Sequence, residues 1–123
     1  MLDNVMTKLR SLVERTGIHL FLVSHLRRTQ QDKNHEEGAR VTLGQLRGSS
    51  SISCLSDSVL ALERNQQTSE DGGVTTLRVL KNRYTGETGI ASELIYDLSN
   101  CRFSENETTE PSFLRGTSET TDF

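Results

Sequence analysis

Two short stretches hold residue types that can act on phosphate. The first is Leu80-Lys81-Asn82-Arg83-Tyr84-Thr85-Gly86. Strand-like alternation puts Lys81 and Arg83 on one side of the chain, at the mouth of a glycine-bearing turn. An arginine fixed on a tight turn can reach a nucleotide held by a neighbouring subunit. Such a contact is worth roughly a thousandfold or more in phosphoryl transfer. Ordinary hairpin turns carry Lys and Arg as well, so both readings stand at this point. The second stretch holds His25, at the end of the apolar run Ile18 to Val23. In open α/β sheets the carboxyl ends of strands line the ligand crevice, and a polar residue there can bond a phosphate oxygen. The alternative is a plain polar strand terminus. Between them lie Arg27, Arg28, Lys33, Arg40 and Arg47, followed by Gly48-Ser49-Ser50. Cations on a loop suit a phosphate backbone, and a Gly-Ser segment lets backbone N–H groups come close to phosphates. A solvated loop would read the same way. No aromatic residue is interleaved, which argues against base stacking here.

These residues need a scaffold. Leu2, Val5, Met6, Leu9, Leu12 and Val13 recur at helical spacing, and Gly17 stands where a helix C-cap takes a left-handed residue. Ile18 to Val23 reads as a buried, parallel strand. Arg27 to Arg40 has no apolar periodicity, and its length points to a functional or mobile segment. Thr42 and Gln45 have the spacing of a capping box, so a short helix or two should follow, broken by Gly48 and ending by Ser56. Strands are expected at Ser58–Leu62, Val74–Leu80 and Ile90–Tyr96, with a fourth pairing back at Cys101–Phe103. One parallel strand before an antiparallel meander resembles the back half of a mixed sheet whose other strands lie elsewhere.

Composition narrows the options. The chain has 123 residues, a net charge of −3, 33% hydrophobic residues and no Trp. Five acids against the single Arg115 give residues 104–123 a charge of −4, leaving +1 for the rest. That terminal stretch is rich in Glu, Ser and Thr, a signature of disorder. No apolar run is long enough to span a bilayer, and the N-terminus lacks the pattern of a secretory signal. Cys54 and Cys101 are too far apart for a CxxC pair and read as reduced thiols. No zinc spacing is present, so no metal site is expected. No Gly-Lys pair occurs anywhere, which excludes a P-loop from this sequence.

Several motifs recur in one order: His25-Leu26-Arg27, HEEG, LRGS, LSD, LERNQQ and the turn RYTGETGIA. In this order they resemble the C-terminal part of the ring-forming replicative DNA helicase domain, DnaB-like and RecA-type. The likeness is nearest to the primase–helicases of T-seven-type phages and covers about Leu2 to Phe103. It implies an α/β fold: the C-terminal half of a RecA-like domain, a mixed sheet with one parallel strand plus an antiparallel meander. Residues 1–103 would form this partial helicase domain and 104–123 a disordered acidic tail. The P-loop and Walker B carboxylate would lie upstream of Leu2, so the chain would be part of a longer enzyme, a partial record or a split-gene product, and inactive alone.

The resemblance also implies roles. Arg83 matches the arginine finger that reaches the adjacent subunit's nucleotide, with Lys81 in the same motif. His25 matches the sensor of the nucleotide γ-phosphate. Arg27 and Lys33 match basic positions facing single-stranded DNA in a central channel, and Arg47, Gly48 and Ser49 match a segment beside the same DNA. Ser53 and Cys54 depart from the family's basic and Gln residues. ATP or dTTP with Mg2+ would be the cofactor, bound mainly by residues outside this chain. Asp122 and Phe123, ending the acidic tail, match a segment that docks on the phage DNA polymerase. The intact protein would form a homo-oligomeric ring in the cytoplasm of an infected bacterium, without a membrane partner. The alternative is a non-catalytic interaction module that uses its tail to bind the polymerase.

Overall fold

A computed structural model describes residues 1–27, 35–36, 38–46, 50–66 and 73–106. Helix α1 spans Leu2–Thr16 and buries Met6. Gly17 ends it in the left-handed region, φ 69°, and its N–H donates to the Val13 carbonyl at 2.8 Å. A residue with a Cβ would strain that cap, which is why glycine stands there. Thr42 opens a single 3-10 turn, Leu43–Gln45, and the Gln45 side chain accepts the Thr42 N–H at 3.1 Å. Helix α2 is short, Ser50–Leu55, and packs against α1.

Four strands follow: β1 (Ser58–Arg64), β2 (Val74–Asn82), β3 (Gly89–Asp97) and β4 (Arg102–Glu105). They pair in chain order, all antiparallel, as a meander. Strand β1 alternates strictly: Val59, Ala61 and Glu63 are buried and their neighbours exposed. Residues opposite one another across an antiparallel pair share a face. The register Val59↔Lys81, Ala61↔Arg78 and Glu63↔Thr76 therefore brings Lys81 and Arg78 to the buried face of β1. The loop after His35 closes over part of that face. Val41 N–H donates to Glu63 Oε1 at 2.8 Å, and Gln66 N–H donates to the Glu36 carbonyl at 2.8 Å. At the far edge Tyr96 and Phe103 sit opposite each other, ring centres 4.9 Å apart.

Three expectations need correction or adjustment. Ile18–Val23 is not a strand in this chain, and the sheet among the described residues holds no parallel member. The run is exposed, with Phe21 at 87% and Val23 at 97%. A parallel strand needs partners on its hydrogen-bonding edges and apolar cover on its faces, and the described residues bring neither to residues 18–23. His25 accordingly follows a segment without regular secondary structure rather than a buried strand; the neighbouring residue Leu26 makes an isolated bridge to Leu46. At the other end, Ser104 and Glu105, expected in the tail, belong to β4. Residues 107–123 lie outside the described residues, as does the expected disorder of the tail there.

Candidate functional site

The turn after β2 is built by Asn82. Its Oδ1 accepts the N–H of Tyr84 at 3.1 Å and of Thr85 at 3.4 Å. Its carbonyl accepts Gly86 N–H at 2.8 Å, and Gly86 takes φ 74°. An Asn followed by a left-handed Gly is a local solution to a tight turn, because the amide replaces a backbone partner and glycine removes the Cβ clash. The turn is also anchored at its start: Arg83 N–H donates to the Asp57 carbonyl at 2.9 Å.

Lys81 and Arg83 both converge on the C-terminal end of α2. Lys81 Nζ donates to the carbonyls of Ser53 at 2.7 Å and Cys54 at 3.2 Å. Arg83 Nη2 donates to the Cys54 carbonyl at 2.9 Å and Nη1 to Asp57 Oδ1 at 2.8 Å. Unpaired carbonyls and the negative end of the peptide dipoles make a helix C-terminus a natural seat for cations. Ser53 and Cys54 take part through their backbones, so their side-chain identity is of little consequence to these bonds.

Asp57 also holds a second arginine. Its Oδ2 accepts from Arg10 Nη1 at 2.7 Å, and Arg10 Nε pairs with Glu14 one helical turn on, at 3.0 Å. The hydrogen bond from Arg10 holds the Asp57 carboxyl below the ordinary aspartate value, helped by the charges of Arg10, Arg83 and Lys81 and opposed by partial burial. Arg10 is raised in turn, chiefly by Asp57. The cluster is half-open: side-chain exposure is 25% for Arg10, 31% for Asp57 and 41% for Arg83. Arg10, Lys81 and Arg83 outnumber the carboxylates of Asp57 and Glu14 by one, which leaves net positive charge at a solvent-facing point, an arrangement able to receive an anion.

Sequence reasoning found Lys81 and Arg83 but not Asp57 or Arg10. Asp57 sits inside the LSD motif, but its partner Arg10 is 47 residues away and no local pattern connects them. The remaining expected site residues are distributed otherwise. His25 and Arg27 lie on the irregular segment after Gly17; Arg27 N–H donates to the Gln45 carbonyl at 2.7 Å, and its carbonyl lies 3.1 Å from His35 Nε2. Lys33, Arg47, Gly48, Ser49, Asp122 and Phe123 lie outside the described residues.

No protein-family model matches the chain. Among individual proteins, the DNA helicase/primase of Enterobacteria phage T3 is 43% identical to it over 97 residues. The alignment takes in 79% of this chain, whereas the chain spans only 17% of the length of that relative. The motif order and this degree of identity lead to one conclusion: the chain is related to the primase–helicases of T-seven-type phages.

Proposed function

We propose that this chain is the C-terminal portion of an ATP-dependent replicative DNA helicase that translocates on single-stranded DNA and unwinds duplex at the fork. The observation that carries the reading is the placement of Arg83, a half-exposed guanidinium at the root of a turn fixed by Asn82 and Gly86. In this role Arg83 approaches the nucleotide held by a neighbouring subunit of a homo-oligomeric ring, and Lys81 fixes the strand end that carries it. His25 senses the γ-phosphate. ATP or dTTP with Mg2+, held mainly by residues outside this chain, would drive movement by transfer of its γ-phosphoryl group to water. The exposed, cationic end of Arg83 suits a phosphoryl oxygen, which needs strong donors and no covalent help. Arg27, Lys33 and the Arg47-Gly48-Ser49 segment contact the DNA backbone.

The RecA-like reading has its own support. Ile18–Val23 is apolar on both sides and exposed here, as a central parallel strand would be if its neighbours came from elsewhere in a longer protein. No described helix is long and apolar enough to cross a membrane, and the enzyme is proposed to work in the host cytoplasm.

DNA binding by this chain tests the proposal. Three phosphate contacts on a single strand predict that log affinity falls with log salt at a slope of about −2. Alanine at Arg27, Lys33 and Arg47 should flatten it, and a flat slope in the unmodified chain would remove the DNA role. Without a P-loop the chain alone should not hydrolyse ATP; activity lost in Arg83→Ala would contradict this.

The charge of −4 on residues 104–123 favours a second reading, in which the tail binds the phage DNA polymerase. Acidic residues would steer it to a basic patch, and Phe123 would anchor it. Deleting Asp122 and Phe123 should abolish polymerase binding and spare DNA binding.

A further inference from the structure

Asp57 gives each carboxylate oxygen to a different arginine. Oδ1 accepts from Arg83 at 2.8 Å, and Oδ2 accepts from Arg10 at 2.7 Å. The two guanidinium groups come from unrelated places, one from the β2–β3 turn and one from α1. Arg83 has a second acceptor, the Cys54 carbonyl at 2.9 Å, only three residues before Asp57. Two acceptors on one short chain segment fix the plane of a guanidinium, and each engages a different terminal nitrogen. With 41% of the side chain still exposed, the remaining donors are left for a ligand. A planar fork held on one side offers a paired edge to an anion on the other.

We propose that Asp57 is the positioning residue for Arg83, and that Arg10 is the anchor that holds Asp57 from behind. The proposal rests on the reading of Arg83 as the arginine that meets a phosphoryl group. Asp57 does not touch the ligand. It sets the direction from which Arg83 approaches, and Arg10 prevents the carboxylate from swinging after Arg83 when Arg83 engages an anion. Without Asp57, Arg83 keeps only the Cys54 carbonyl and loses its fixed plane.

The test uses the full chain with isotope-labelled arginine, reading rotation of each guanidinium by NMR. Arg78 is an internal reporter of the fold, because it pairs with Glu63 through two hydrogen bonds at 2.7 and 3.2 Å, away from Asp57. Arg10, Arg78 and Arg83 should all rotate slowly in the unmodified chain. Asp57→Asn should speed Arg10 and Arg83 about tenfold, the scale of one charge-assisted hydrogen bond, and leave Arg78 slow. Asp57→Glu should restore part of the slow rotation at Arg83. Free rotation of Arg83 in the unmodified chain, or Asp57→Glu behaving as Asp57→Asn, would overturn the proposal. Should Asp57→Asn loosen Arg78 too, Arg10→Ala decides: it should speed Arg83 severalfold with Arg78 unchanged, and an unaltered Arg83 would overturn the anchor. Tripolyphosphate is then added as the anion probe and should shift Arg83 more than Arg10. An Arg83 that stays slow but does not respond to tripolyphosphate rejects the phosphoryl reading itself, while its hold by Asp57 stands.

Discussion

Glu63 in the sheet and Asp57 at the end of α2 each bind arginine, yet they do opposite things. Glu63 is 7% exposed and Arg78 is 13% exposed. Glu63 accepts from both ends of the Arg78 fork and from Val41 N–H, so the strand pair and the loop over it close on one sealed point. Asp57 shares itself between two arginines from distant elements and stays open to water. Burying a charge is tolerable only when its partners are complete, and a complete set leaves nothing to exchange. The half-open cluster is held more weakly, and for that reason one of its members can turn to a ligand. A salt bridge alone therefore says little about function. What separates these two is how many donors remain uncommitted.

The largest effect expected is at the sealed pair. Glu63→Ala strands the Arg78 charge and the Val41 N–H, and should cost about 3 kcal/mol in chemical denaturation. A loss no greater than that of a surface substitution would erase the distinction. Arg78→Lys keeps the charge but gives up the paired geometry, and should cost about 1.5 kcal/mol, near the value of one charge-assisted hydrogen bond. Asp57→Asn should destabilise less than either at neutral pH. Its effect should also depend on pH in a defined direction. The folded carboxyl lies below the ordinary aspartate value, so its stabilisation is present above the unfolded pKa of about 3.9 and is lost as pH falls through the lower folded value. Denaturation of the unmodified chain and Asp57→Asn should converge at the acid end. A difference that persisted there would mean Asp57 acts by packing rather than charge.

The sheet was legible because its rules are local. Alternation in Ser58–Arg64 and the turn residues Asn82, Gly86 and Gly89 fix strands and reversals within a few residues of one another. Gly17 marked the end of α1 for the same reason. Ile18–Val23 reads as a buried strand in sequence because an apolar, β-prone run states only what it would do with neighbours, and burial depends on partners that the described residues do not bring to it. The candidate site divides along the same line. Lys81 and Arg83 announced themselves by spacing on one turn, whereas Asp57 acquires its meaning only when α1 brings Arg10 to it across 47 residues.

That separation bears on the order of folding. The meander joins neighbours in the chain, so each hairpin closes a short loop and carries a small entropic cost. The Arg10–Asp57 bond closes a far longer one, and it needs α2 already seated against the end of β2. In refolding, the strands should therefore gain protection before the helical end does, and on opening α1 should leave first. The half-open cluster around Asp57 would then be the last piece to set and the first to release, so that small changes in conditions reach Arg83 well before they reach the sheet.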